Sequence, residues 1–183
     1  MNELADTKLQ VKYPIEYSID KLNEVVVTLE IPFNNEELYP EVYFTVDTGA
    51  TISTLTLEVL NQLDYSVNWV IENTVNIQNI TLADGGTIES HKIIFPKIKV
   101  FGQELENQEF CVFINAKKDE NNLLGMNILS NFDFSFIFSE RTFKVSHAKQ
   151  SETKATKGTS NIKPTKQQLE ASLIRNIIES EQN

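Results

Sequence analysis

Short runs of alternating apolar and polar residues, separated by turn residues, dominate the first 145 positions of the chain. Ile15-Glu16-Tyr17-Ser18-Ile19 alternates with period two and predicts a strand, and Val25 to Ile31 predicts a longer one. A turn-rich stretch from Pro32 to Pro40 then leads into Tyr43-Phe44-Thr45-Val46, four residues of high β-propensity. A second β-rich run, Ile52 to Leu57, leaves the turn that follows. Thr56 to Leu63 has helical spacing at Val59, Leu60 and Leu63, with Thr56 in the N-cap position. Thr74 to Leu82 alternates again, breaks at Asp84-Gly85-Gly86 and resumes at Thr87-Ile88. Asp-Gly between alternating runs predicts a hairpin, because the tight turns that match strand twist need positive φ. Ile93 to Gly102 and Phe110 to Ile114 read as two further strands, with Pro96 marking an edge or a bend in the first. Leu123-Leu124 reads as a core strand and Met126 to Phe132 as a short helix. Phe134 to Phe138 and Thr142 to Val145 form a closing hairpin around Ser139-Glu140-Arg141, with more aromatic side chains than a small monomer would expose.

Beyond His147 the pattern changes. Residues 148–163 are rich in Ser, Thr, Lys and Gln, which predicts a flexible linker. Thr165 and Gln168 form a capping box, and Leu169, Leu173, Ile174, Ile177 and Ile178 recur at helical spacing, so residues 164–183 predict an amphipathic helix. A helix that short is marginal alone and must dock on its own body or on a partner. The organisation read from the pattern is an N-terminal strand region at 1–24, a β domain at 25–147, the linker and the helix.

Composition agrees with a mostly β fold. A 183-residue chain with a hydrophobic fraction of 40% can bury a real core, and its 11 Phe outnumber its 6 Gly. The formal charge of −10 is uneven: 10 basic and 22 acidic residues stand in residues 1–147, against 6 and 4 in the remainder. So acidic a body argues against nucleic-acid binding, which requires clustered Lys or Arg. The first twelve residues are polar and carry Glu3 and Asp6, unlike a signal peptide, and no stretch approaches the roughly 20 apolar residues of a membrane span. A cytoplasmic location is the expectation. Cys111, the single cysteine, cannot form an internal disulfide and lies in an apolar run that reads as a core strand.

The chemistry centres on Asp47. The strand at Tyr43 to Val46 delivers a lone carboxylate to Thr48-Gly49-Ala50, where Gly allows a tight turn and close approach to a ligand. Asp-Thr-Gly is also compatible with a plain turn. No other constellation competes. His91 and His147 have no metal-ligand spacing and read as surface residues. Ser53 and Ser66 lack the Gly-x-Ser-x-Gly elbow, and no Gly-rich phosphate loop is present. Neither a metal nor a cofactor is implied.

With these residues in view, the chain resembles the retropepsin-like aspartic proteases, whose signature is two apolar residues followed by Asp-Thr-Gly-Ala and a Thr- or Ser-rich strand. The family's later signature, two aliphatic residues and a Gly opening a short helix, is matched by Leu123-Leu124-Gly125, and a flap hairpin between the two by Asp84-Gly85-Gly86. The resemblance covers roughly residues 25–145 and implies a closed antiparallel β domain with a flap hairpin and a short helix. Asp47 would be catalytic, Thr48, Gly49 and Ala50 would form the active-site loop, and Leu123, Leu124 and Gly125 would support it. Asp84 and Asp133 lack the Thr-Gly continuation, so one Asp-Thr-Gly per chain implies a homodimer with two Asp47 carboxylates on its axis. The implied activity is that of an aspartic endopeptidase acting on a protein or peptide substrate. The alternatives are a non-catalytic dimeric peptide-binding module of the same fold, or a small structural β domain. The chain departs from retroviral enzymes in the 38 positions that separate Asp47 from Gly85 and in its C-terminal extension.

Overall fold

In the run Glu41–Val46, Val42 and Phe44 are buried while Glu41 and Tyr43 face outward, the period-two signature of a strand with one face on a core. Neighbouring runs behave alike and give a mostly β architecture. A computed structural model describes residues 12–34, 38–81, 85–114 and 122–148. In chain order the described elements are β1 (Ile15–Ser18), β2 (Val26–Glu30), β3 (Glu41–Val46), β4 (Ser53–Thr56), α1 (Leu57–Gln62), α2 (Val67–Asn73), β5 (Asn76–Thr81), β6 (Thr87–Val100), β7 (Gln103–Phe113), β8 (Leu123–Leu124), α3 (Met126–Leu129), β9 (Phe132–Ile137) and β10 (Thr142–Ala148). The predicted linker at 148–163 and helix at 164–183 lie outside the described residues, apart from Ala148 at the end of β10.

Seven strands form one sheet in the order β2-β3-β8-β4-β7-β6-β5, and β2 also pairs with β6 through Leu29↔Val100 and Glu30↔Lys99. That extra ladder curls the sheet back on itself around Leu29, Phe44, Ile93, Phe95, Phe110 and Leu124, all buried. The second sheet, β1-β10-β9, packs Phe143 and Val145 inward. Because β1 pairs with β10 from Ile15↔Val145 to Ser18↔Thr142, the N-terminal strand joins the sheet built by the end of the β region. Phe101 bridges the two sheets, its ring edge-on to Phe132 at 5.0 Å. Phe134 and Phe136 are half-buried, and Phe138 remains exposed.

Four expectations need correction. The ladders are antiparallel except for β3 with β8 and β4 with β7, which are parallel. The strand predicted from Ile93 begins at Thr87, because the hairpin arm and the strand beyond it are one continuous run. That run passes through Pro96, whose missing N–H falls where the ladder steps from Phe95↔Gln108 to Lys97↔Glu106 past Asn107 at φ 54°. The helix α2 was not anticipated; Ser66 caps it, its Oγ accepting from Trp69 N–H at 3.2 Å.

The fourth correction concerns His91, which is buried, not superficial. Thr74 Oγ1 donates to Val70 O at 2.6 Å and stands 3.2 Å from His91 Nδ1, while His91 Nε2 lies 3.8 Å from Glu89 Oε1. Burial holds the imidazole below its ordinary pKa, with Glu89 opposing the shift. The ring is thus a strut joining the end of α2 to β6. For His147 the structure gives a strand position and nothing about its side chain.

Candidate active site

Asp47 follows directly on β3, and its backbone N–H donates to Leu124 O at 3.0 Å. The chain then turns on its own side chain: Asp47 Oδ1 accepts from Gly49 N–H at 2.8 Å and from Ala50 N–H at 3.3 Å. Such turns are what Asp favours outside regular structure. A Cβ on Gly49 would stand 3.2 Å from that same oxygen, so glycine leaves the carboxylate room. Oδ2 has no hydrogen-bond partner among the described residues. Asp47 and Ala50 are half-buried, whereas Thr48 and Gly49 at the apex are exposed.

The second predicted element lies against this loop. β8 runs between β3 and β4, with Thr45↔Leu123 and Val46↔Leu124 on one side and Thr54↔Leu123 on the other. Gly125 then passes so close to the loop that a Cβ there would meet Ile52 C at 2.7 Å and Ala50 O at 2.9 Å. The first N–H groups of a helix have no partner within it. In α3 two of them serve the loop: Met126 N–H donates to Ala50 O at 2.8 Å and Asn127 N–H to Thr51 O at 3.1 Å.

Two residues in this brace were missed as site residues by sequence reasoning. Asn127 Oδ1 accepts from both the N–H and the hydroxyl of Ser53 at 2.8 Å, while its Nδ2 donates to Glu109 O at 2.8 Å. The buried Ser53 hydroxyl in turn accepts from Gly125 N–H at 3.0 Å. One amide therefore ties β4, β7 and α3 together beneath the Asp47 loop. An Asn inside a four-residue helix right after Leu-Leu-Gly is the signal that could have found it, since Asn has no propensity reason to be there.

The predicted hairpin is present: β5 and β6 pair from Asn76↔Lys92 to Thr81↔Thr87. Gly85 has φ +85°, the left-handed backbone that the Asp-Gly turn required, and a Cβ there would meet nothing within 4 Å. Asp84 lies outside the described residues. Between hairpin and Asp47 loop opens a cleft of about 940 Å³. Asp47, Gly49, Ala50 and Leu123 line one side of it, and Gln78 and Ile80 of β5 the other. Leu124 and Gly125 are buried beneath the site, and Gly85 and Gly86 do not touch the cleft. Lys92 of β6 and Glu109 of β7 also line the cleft, joined by a 2.9 Å ion pair that the sequence did not reveal.

Cys111 is fully buried on β7, and burial pushes its thiol pKa up, away from the nucleophilic thiolate. Among the described residues no three His, Cys, Asp or Glu side chains are grouped to hold a metal ion. Among them, too, no helix is long and apolar enough to cross a membrane.

A curled β domain with an Asp-Thr-Gly loop braced from below by a Leu-Leu-Gly turn defines the class as retropepsin-like aspartic proteases. Residues 34–131 match the family described as "gag-polyprotein putative aspartyl protease", just over half of the chain, and the protein belongs to that family. In structure it is similar to a retropepsin-like aspartic protease from Rickettsia conorii, with a TM-score of 0.53 and 19% sequence identity over 75% of this chain and 92% of that one. That likeness is one of fold. No curated protein matches the sequence.

Proposed function

We propose that the protein is an aspartic endopeptidase that works as a homodimer, with Asp47 of each protomer contributing one of two facing carboxylates. The observation that carries this reading is the state of the Asp47 loop: rigidly braced from beneath, yet exposed at Thr48 and Gly49 and open to the cleft at Asp47. A braced loop with a bare apex suits a second copy of itself across a two-fold axis. Family membership supports peptide hydrolysis as the chemistry.

Two carboxylates roughly 3 Å apart hold one proton between them. The ionised one takes a proton from a bound water as that water attacks the scissile carbonyl carbon. The protonated one gives its proton to the carbonyl oxygen. As the C–N bond breaks, the carboxyl that took the water proton passes it to the leaving amine, while a hydroxyl of the tetrahedral gem-diol returns its proton to the other carboxylate, so the dyad again holds one proton. Thr48 braces the two loops across the axis, and the β5–β6 hairpin acts as the flap, with the main chain at Gly85 and Gly86 reaching a peptide laid over the cleft. Residues 25–147, with the strand Ile15–Ser18 paired onto β10, form the protease domain.

A randomised peptide library tests the reading. The protein should cleave it, and Asp47→Asn should abolish cleavage while the dimer persists. Binding without cleavage by the native protein would make it a peptide-binding module instead.

A further inference from the structure

We infer that the Lys92–Glu109 pair makes the protein selective for carboxamide side chains, Asn or Gln, at one position of its peptide substrate. This deepens the proposed endopeptidase reading and rests on the same cleft. This ion pair lies on the sheet face that lines the cleft, together with Gln78, Ile80 and Phe113. The lysine side chain is only 20% exposed and the glutamate 38%, so a peptide laid over them would shield both further.

The chemistry of a shielded pair is restrictive. A substrate carboxylate would be repelled by Glu109, and a substrate ammonium by Lys92; accepting either would mean pulling the pair apart and leaving one charge unmatched. An apolar side chain would cover both charges and satisfy none of their remaining hydrogen-bonding capacity. A carboxamide fits without net charge: its NH2 donates to the Glu109 carboxylate and its carbonyl accepts from the Lys92 ammonium. The position of the pair is fixed relative to the Asp47 loop, because the carbonyl of Glu109 accepts from Asn127 Nδ2, the amide that braces that loop. A selected side chain would therefore sit at a constant number of residues from the cleaved bond.

The test is a cleavage-site profile of the full chain on a randomised peptide library, taken for the native protein, Glu109→Gln, Lys92→Met and the exchanged pair Lys92→Glu with Glu109→Lys. Charge-assisted hydrogen bonds of this kind lead us to expect about a tenfold preference for Asn and Gln over charged residues at one position. Glu109→Gln should shift that preference to Asp and Glu, Lys92→Met to Lys and Arg, and the exchanged pair should restore Asn and Gln. Cleavage with profiles that do not move in the two single variants would overturn the inference and leave the endopeptidase reading intact. Fluorescence anisotropy of labelled Asn/Gln, Asp/Glu and Lys/Arg peptide pools on Asp47→Asn, with and without the same substitutions, separates the two claims. Ranked binding without any cleavage by the native protein would sustain the selectivity and overturn the hydrolysis; neither cleavage nor ranked binding would overturn both.

Discussion

Two glycine-bearing turns of this molecule are built in opposite ways. The Asp47 loop is held at Asp47 N–H, Ala50 O and Thr51 O by β8 and α3, with Gly125 wedged so closely beneath that no side chain fits. At the turn end of the β5–β6 hairpin, by contrast, Gly85 stands in open space, where an added Cβ would meet nothing within 4 Å. Free-standing arms with few packed contacts open at low cost, whereas braced turns do not. The contrast teaches that this fold holds its carboxylate on a turn braced from beneath and leaves space around the glycine of its hairpin turn.

Substitutions at the braced end should have the largest effects. Gly125→Ala forces a methyl into backbone atoms of Ile52 at 2.7 and 2.8 Å, and overpacking of that kind costs about 3 kcal/mol. A urea-unfolding midpoint close to the native value would show that the loop can give way and would erase the contrast. Asn127→Ala should come next. It strands two donors of Ser53 and the carbonyl of Glu109, a loss of about 2 to 3 kcal/mol, and Asn127→Ser should recover part of it.

At the free end, Gly85→Ala meets no atom but carries the left-handed strain of φ +85°, so unfolding should shift by only about 1 kcal/mol. If the tip covers the substrate, KM should change more than stability does. The smallest effect concerns the root of the arm. His91 has its pKa lowered in the folded protein, so below its ordinary value of 6.5 the unfolded chain binds more protons than the folded one. Stability should then fall as pH drops through 6.5 and level off once the folded imidazole itself protonates. Urea midpoints measured between pH 7.5 and 5, with His91→Gln as control, should show a slope that flattens in the variant.

What was legible in the sequence follows the same division. The β-propensity of Tyr43 to Val46 located β3, the Asp-Gly dipeptide located the hairpin, and Thr56 with the helical spacing after it located α1, because each signal acts over a few residues. The Asp47 loop and the Leu123-Leu124-Gly125 turn could be named from family resemblance. Their contact could not be read from periodicity, since 75 positions separate Ala50 from Gly125. The parallel pairing of β3 with β8, the triple role of Asn127 and the Lys92–Glu109 pair all depend on which strands lie side by side. His91 was misjudged for that reason: a polar residue in an alternating run looks solvent-facing until α2 and Thr74 cover it.

The central claim is that one carboxylate per chain does the chemistry in a dimer. It is tested most directly by measuring peptide cleavage and mass by light scattering on the same samples of native protein and Asp47→Asn. We expect both to be dimers and cleavage to disappear in the variant, with native specific activity falling on dilution below the dimer dissociation constant. Full cleavage by Asp47→Asn, or a monomer whose activity stays proportional to its concentration, would contradict the account.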